Sequence, residues 1–181
     1  MKKCFCLILS FLISLLIFLG CEKVSDEQLA QEVVNSYAMD LYNVNSDDNF
    51  FEIGKKSSTI DIEKYDEDLE GYLSSYKQYF TEKAFLTFML NRAIVPYRHE
   101  NMTVKFKNID YRDIKFDKEK NSITIDCKIS FDSKILNMDK TTELKDRRII
   151  VLIKESGDWK IISERVFYDQ KLLDIKFSDQ H

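Results

Sequence analysis

The sequence is poor in glycine, proline and histidine. It has four glycines, one proline and two histidines among its 181 residues. A P-loop, a dinucleotide-binding fingerprint or a nucleophile elbow needs two or more glycines within a few residues. The glycines of this chain, Gly20, Gly54, Gly71 and Gly157, lie too far apart for any of these motifs. The sequence therefore excludes phosphate-cradling loops, and we predict neither a cofactor nor a metal.

Clusters of basic residues are also missing. The net charge is −4, and lysines are interleaved with acids, as in the stretch from Lys115 to Lys120. Binding to a phosphate backbone requires clustered Lys and Arg, which release condensed counterions. Interleaved charges of both signs are typical of a solvated surface instead. We expect no nucleic-acid partner.

A long apolar run is present at the amino terminus. Lys2 and Lys3 precede residues 4–19, which are apolar except for Ser10 and Ser14. This pattern is typical of an export signal peptide. An uncleaved membrane helix is the alternative, because the run reaches the short limit for crossing a bilayer. Both interpretations place the rest of the chain outside the cytoplasm.

The end of this run, Phe18-Leu19-Gly20-Cys21, resembles the lipobox of bacterial lipoproteins. The resemblance implies a lipoprotein signal peptide at 1–20, cleavage after Gly20, and attachment of diacylglycerol and palmitate-type chains at Cys21. Each buried methylene contributes about 0.8 kcal/mol, so two or more acyl chains hold a protein firmly on a membrane. We therefore predict a protein anchored by lipid on the cell membrane, with its folded part facing outside the cytoplasm.

The four cysteines do not predict disulfides. Cys4 and Cys6 lie in the segment to be removed, Cys21 is the predicted lipidation site, and Cys127 is then left alone. It occupies an apolar position of an alternating stretch, where a free thiol behaves as a small hydrophobe. A reactive thiol needs an exposed, electropositive setting. We interpret Cys127 as buried and inert.

Three helices are predicted in the first half of the mature chain. Ser25 and Gln28 have the spacing of a capping box, which begins the first helix. Its apolar residues recur at three- and four-residue spacing: Leu29, Ala30, Val33, Val34, Tyr37, Ala38 and Leu41. A second helix is predicted at 66–80. Thr81 is placed to cap a third helix, whose core positions are Ala84, Phe85, Phe88 and Met89.

From Met102 onwards, apolar and polar residues alternate with the two-residue period of β-strands. The clearest alternation places five apolar residues on one face: Ile123, Ile125, Cys127, Ile129 and Phe131. In the stretch before them, the apolar residues switch twice between odd and even positions, which predicts β-bulges. Two further strands, at 144–154 and 159–167, are joined by the hairpin turn Glu155-Ser156-Gly157-Asp158.

This order of elements predicts an α+β fold. After a lipidated tether at 21–25, residues 26–181 form a single domain, in which amino-terminal helices pack on a curved antiparallel sheet of about four strands. The closing stretch, Arg148 to Lys154 and then Gly157-Asp158-Trp159-Lys160-Ile161-Ile162, resembles the nuclear transport factor 2-like superfamily. The resemblance spans roughly residues 25 to 168. It implies a cone-like domain with a cavity open at one end, used by some members for isomerase or dehydratase chemistry and by others for binding or assembly.

Candidate functional side chains are few. A cavity enzyme of this class would need an ionisable pair with shifted pKa values. His99 lies in a charged connection and His181 at the terminus, and Asp126 and Asp132 share the polar face of their strand. We therefore predict no catalytic residue. Tyr37, Tyr72 and Tyr76 form a candidate pocket; core packing with the hydroxyls at the rim is the alternative interpretation.

We favour a non-enzymatic binding or assembly module, with an envelope protein or a small apolar ligand as its partner. The main alternative is a cavity enzyme of the isomerase or dehydratase type, and another is a structural component of an envelope or transfer complex. A closed, tyrosine-lined pocket with an inward acid would favour the enzyme. A filled core and an exposed apolar patch would favour assembly.

Overall fold

The computed structural model describes residues 24–45, 62–91, 97, 102–135 and 141–172. The predicted signal peptide at 1–20, the cleavage site at Gly20 and the lipidation site at Cys21 lie outside these ranges, as do His99 and His181. Export, cleavage and acylation therefore stay predictions.

The first helix, α1, spans Asp26–Tyr42 and begins at the predicted capping box. The amide N of Gln28 donates to Ser25 Oγ over 3.1 Å, and the amide N of Ser25 donates to Gln28 Oε1 over 2.9 Å. Both bonds satisfy amides that the helix itself leaves unpaired. The buried face matches the predicted one and includes Ala30, Val34, Tyr37, Ala38 and Leu41.

The second predicted helix is wrong in its bounds. An α-helix, α2, spans Ile62–Leu73, and the chain then tightens into a 3₁₀ helix at Ser74–Tyr79. Ser74 Oγ donates to the carbonyl of Gly71 over 2.7 Å, and serine, glycine and tyrosine all favour the α-helix less than alanine or leucine does. These residues explain why the regular helix ends there.

The third helix, α3, spans Glu82–Leu90 and is capped as predicted. The amide N of Ala84 donates to Thr81 Oγ1 over 3.4 Å. Ala84, Phe85 and Phe88 are buried, whereas Leu86 and Leu90 are 51% and 82% exposed. Because Leu86 and Leu90 are four residues apart, they lie on the same face of the helix, which is turned to solvent.

Four antiparallel strands form one sheet in the order β1-β2-β3-β4. Their bounds are Met102–Asp117, Ser122–Ile135, Thr141–Glu155 and Asp158–Phe167. The predicted irregularity of β1 is confirmed by register shifts between Phe106 and Asn108 and between Tyr111 and Asp113. A further shift, opposite Val151 and Leu152 of β3, was not predicted. Bulges bend a strand and increase its twist, and so contribute to the curvature of the sheet.

The turn between β3 and β4 follows the prediction. Ser156 and Gly157 have φ of 53° and 101°, and Glu155 is paired with Asp158. Positive φ at both central residues is the signature of a type I′ turn, whose twist matches that of the flanking strands. Glycine is suited to the second position because it has no Cβ.

The core lies between the concave face of the sheet and the helices. On β2, the five predicted residues from Ile123 to Phe131 are fully buried, Cys127 included. Burial raises the pKa of the Cys127 thiol to about 12, which keeps it protonated at neutral pH. The predicted α+β class, with helices on a curved antiparallel sheet of four strands, is confirmed. Within the described ranges, no helix is both long and apolar enough to cross a membrane.

Candidate functional site

A group of charged side chains lies within the apolar core. The inward-facing residues of β3 are Leu144, Asp146, Arg148, Ile150 and Leu152, and all are fully buried. Burying a charge is costly unless it is paired and hydrogen-bonded. The partners of Asp146 and Arg148 come from α1, from residue 97 and from β4. We call the six side chains Tyr37, Tyr42, Tyr97, Asp146, Arg148 and Glu164 the Arg148 cluster.

The guanidinium of Arg148 is surrounded by tyrosines. Its Nε donates to the Tyr42 hydroxyl over 2.9 Å, its Nη2 to the Tyr97 hydroxyl over 3.0 Å, and its Nη1 to the Tyr37 hydroxyl over 3.3 Å. Nη1 also forms an ion pair with Glu164 Oε2. The guanidinium carbon lies 5.4 to 5.8 Å from the centroids of the three rings. All three nitrogens of the Arg148 guanidinium therefore donate hydrogen bonds.

Each tyrosine hydroxyl donates a hydrogen bond to a carboxylate. Tyr37 donates to Glu164 Oε1 over 3.0 Å, and Tyr42 donates to Asp146 Oδ2 over 2.9 Å. Tyr97 also donates to Asp146 Oδ2. The remaining Asp146 oxygen accepts from the amide N of Asp169 over 2.8 Å. Because arginine can only donate and a carboxylate only accept, the direction of each of these bonds is fixed. The Tyr42 and Tyr97 hydroxyls also lie 3.3 Å apart, and either could donate to the other.

The electrostatics of the cluster keep its tyrosines neutral. Desolvation by burial raises the pKa of Tyr37, Tyr42 and Tyr97 well above the usual value near 10, and the neighbouring carboxylates raise it further. At neutral pH these hydroxyls are hydrogen-bond donors and not bases. The inward acids that an enzyme of this fold would need are present, but their oxygens hold Arg148 and the tyrosines in place. The cluster thus occupies the space between β3, α1 and β4 with the chain's own buried groups.

Asp146, Arg148 and Glu164 were not predicted from the sequence as functional residues. The acids that were weighed, Asp126 and Asp132, lie on the outer face, where Asp126 pairs with Arg147 at 2.7 Å and Asp132 with Lys107 at 3.4 Å. That placement is as predicted. The expectation that the acids face outward does not extend to β3 and β4, where Asp146 and Glu164 face inward.

Of the three tyrosines of the candidate pocket, Tyr37 and Tyr76 are brought into contact, and the pocket itself stays a prediction. Tyr37 and Tyr76 are buried and meet edge to face, with ring centroids 6.4 Å apart, whereas Tyr72 is half-buried. The Tyr76 hydroxyl donates to the carbonyl of Asp40 over 2.9 Å. None of the three lines either of the two grooves described next.

Two grooves lie on the outside of the described structure. The larger, about 310 Å³, is lined by α1, the 3₁₀ helix and the β3–β4 hairpin, including Leu29, Val33, Tyr79 and Trp159. The smaller, about 110 Å³, lies between α3 and β4. It is lined by Phe80, Ala84, Thr87, Phe88, Asn91, Ile162, Ser163 and Glu164. Glu164 therefore belongs both to the Arg148 cluster and to the α3–β4 groove.

No group of three or more His, Cys, Asp or Glu side chains among the described residues has the geometry of a metal site. Seven large apolar side chains among the described residues are exposed, including Val24, Met39 and Phe116; the other four are Leu86 and Leu90 on α3 and Ile162 and Phe167 on β4. These four residues belong to the two elements that border the smaller groove.

Comparison with known proteins identifies the fold. No protein-family model matches the chain, and no curated protein matches it. Among solved structures, it is similar to CagV, a VirB8 homolog of the T4SS from Helicobacter pylori strain 26695, with a TM-score of 0.50 and 13% identity over 76% of this chain and 98% of that one. The intermembrane space region of the chloroplast protein ARC6 gives a TM-score of 0.43 and 8% identity, over 80% and 98% of the two chains.

The likeness to CagV concerns the fold alone, since identity is so low. It agrees with the α+β fold described above, in which helices pack on a four-stranded antiparallel sheet. Function does not follow from a shared fold and has to be argued from the sites.

Proposed function

We propose that this protein is an exported, lipid-anchored binding or assembly module, and that it forms part of an envelope or transfer complex. The single domain at 26–181 is held on the cell membrane by acyl chains on Cys21 and faces outside the cytoplasm. The apolar run at 4–19, followed by Gly20-Cys21, supports the anchor. CagV, which is similar in fold, is a VirB8 homolog of a T4SS, and this supports a place in such a complex.

The observation that carries the binding role is the contrast between the interior and the surface. In the described core, the Arg148 cluster and aromatic rings are buried, whereas Leu86 and Leu90 of α3 and Ile162 of β4 are exposed. An exposed apolar surface rimmed by polar residues is typical of an interaction site. An envelope protein is therefore the partner we propose, in preference to a small apolar ligand.

The lipid anchor is tested by metabolic labelling with a palmitate analogue in a bacterial host. We expect labelled protein in the membrane fraction and neither labelling nor processing for Cys21→Ala. Cys127→Ala is the matched control, and it should be labelled like the wild type. Normal labelling of Cys21→Ala would contradict the assignment.

The binding role is tested by cross-linking on intact cells followed by isolation of the complex. We expect a cross-linked complex that survives purification for the wild type and is lost for the double variant Leu86→Lys, Leu90→Lys. The matched control is Met39→Lys, because Met39 is 42% exposed on another helix. Surface changes of this kind alter stability by about 0.5 kcal/mol or less, so all variants should fold. Equal recovery from both variants would overturn α3 as the partner surface.

A further inference from the structure

We propose that the α3–β4 groove receives a lysine or arginine side chain of the partner protein. The inference rests on the proposed role as a binding module and names the chemistry of what it binds. It is carried by three features of the groove: its apolar walls, the acid that lines it, and the charge of the cluster behind that acid.

The walls are apolar on both sides. Phe80 and Phe88 lie with ring centroids 4.9 Å apart, Ala84 lies beside them, and Ile162 lines the groove from β4. The polar lining residues other than Glu164 are Thr87, Asn91 and Ser163, so the described lining contains no cation. At about 110 Å³, the groove has room for one side chain rather than for a whole segment.

The charge behind the groove is negative. The Arg148 cluster contains one arginine and two carboxylates, so it carries one negative charge in excess. Asp146 and Arg148 are fully buried, whereas the side chain of Glu164 is 12% exposed. Within the cluster, Glu164 is therefore the group that an external cation can reach. Low-polarity surroundings strengthen such an interaction relative to bulk water.

A lysine or arginine matches this arrangement. Its aliphatic stem can pack between Phe80, Phe88 and Ile162 while its charged end approaches Glu164. Aromatic faces add attraction for a cation. A neutral apolar side chain would cover the carboxylate without pairing with it, and an acidic one would be repelled. The groove therefore selects for charge as well as for shape.

The test uses the purified full-length lipoprotein in detergent and three fluorescent peptides, acetyl-Ala-Leu-X-Leu-Ala-amide, in which X is lysine, norleucine or glutamate. Fluorescence anisotropy measures binding. We expect the lysine peptide to bind about tenfold more tightly than the norleucine peptide, which corresponds to about 1.4 kcal/mol, and the glutamate peptide not to bind. Equal binding of the lysine and norleucine peptides would overturn the proposal.

The location is tested by filling the groove without altering the cluster. Thr87 is exposed at the groove and Thr87→Phe should abolish lysine-peptide binding. Ser36→Phe is the matched control in the larger groove and should leave the binding unchanged. Binding by Thr87→Phe as tight as that of the wild type would contradict the proposed location.

Arg92 follows Asn91 in the sequence and lies outside the described residues, so the test includes Arg92→Gln as a variant. Lysine-peptide binding that is detected only in Arg92→Gln would overturn the proposal, because Arg92 would then be the natural cation of the groove. Failure of the peptide test with normal acylation of Cys21 refutes the groove alone. Loss of acylation refutes the anchor of the proposed function instead.

Discussion

The neighbouring strands β2 and β3 present different inner faces to the same core. On β2, all inward residues between Ile123 and Phe131 are apolar, whereas β3 places Asp146 and Arg148 between Leu144 and Ile150. Apolar side chains tolerate neighbours of many shapes, as long as space is filled. Charged ones need particular atoms at particular distances. The β3 side of the core therefore requires one arrangement of α1, residue 97 and β4, whereas the β2 side requires only good packing.

Arg148 is the residue whose replacement should have the largest effect. Arg148→Met leaves Asp146 and Glu164 without their cation, and removing one member of a buried ion pair costs about 3–5 kcal/mol. The measurement is the free energy of unfolding from urea denaturation.

Leu152→Met, on the same face of the same strand, is the control and should cost less than about 1.5 kcal/mol. A loss of similar size in both variants would contradict the particular requirement for Arg148 within the inner face of β3.

Raising the pH should destabilise the same cluster without a mutation. An unfolded tyrosine ionises near pH 10, whereas burial keeps Tyr37, Tyr42 and Tyr97 protonated in the folded protein above that pH. Below pH 10 both states hold the proton, so stability is unaffected. Above it only the unfolded state loses the proton, and stability falls as pH rises.

The measurement follows tyrosinate absorbance and circular dichroism together during an alkaline titration. We expect part of the absorbance change to coincide with the loss of ellipticity, because these three tyrosines ionise only on unfolding. Complete ionisation of all tyrosines in a protein that keeps its circular dichroism would contradict the burial of the cluster.

Removing a single tyrosine hydroxyl should lower the stability of the fold less than replacing the arginine does. Tyr97→Phe removes one donor to Asp146 and one acceptor for Arg148, and hydrogen bonds to charged groups contribute about 1.5–3 kcal/mol. Tyr79→Phe is the matched control, because its hydroxyl bonds to Asp40 at the surface and should cost about 0.5 kcal/mol or less. Calorimetric melting of both variants provides the comparison, and the reverse order of effects would count against the cluster.

A substitution on the inner face of β2 should have the smallest effect on the free energy of unfolding. Ile125→Val removes one buried methyl group and should cost about 0.5–1.5 kcal/mol. The free energy of unfolding in urea, measured as for Arg148→Met, makes the two strands comparable. A loss at Ile125 that exceeds the loss at Arg148 would reverse the contrast between the strands.

Local patterns were sufficient to predict most of the fold. The Ser25–Gln28 capping box, the Thr81 cap, the alternation on β2 and the Ser156–Gly157 turn are set by neighbours within a few residues. The 3₁₀ helix at Ser74–Tyr79 was missed because its apolar spacing also fits an α-helix. The even spacing of Leu144, Ile150 and Leu152 already places Asp146 and Arg148 inward, so this signal was available.

Glu164 could not be found in the same way. Trp159 and Ile161 face inward, and unbroken alternation from them would turn Glu164 outward. The bulge at Ile162 shifts the parity, so that Glu164 is paired with the inward Ile150 of β3. The contacts of the cluster also join residues far apart in sequence, such as Tyr42 and Asp146. Periodicity within one strand contains no information about such contacts.

Acylation of Cys21 is the claim on which the proposed role at the membrane depends. Mass spectrometry of the amino-terminal peptide, from protein purified out of the membrane fraction, tests it most directly. We expect the chain to begin at Cys21 and to carry the added mass of diacylglycerol and its acyl chains. A peptide that retains residues 1–20, or that begins elsewhere with an unmodified thiol at Cys21, would contradict the anchor.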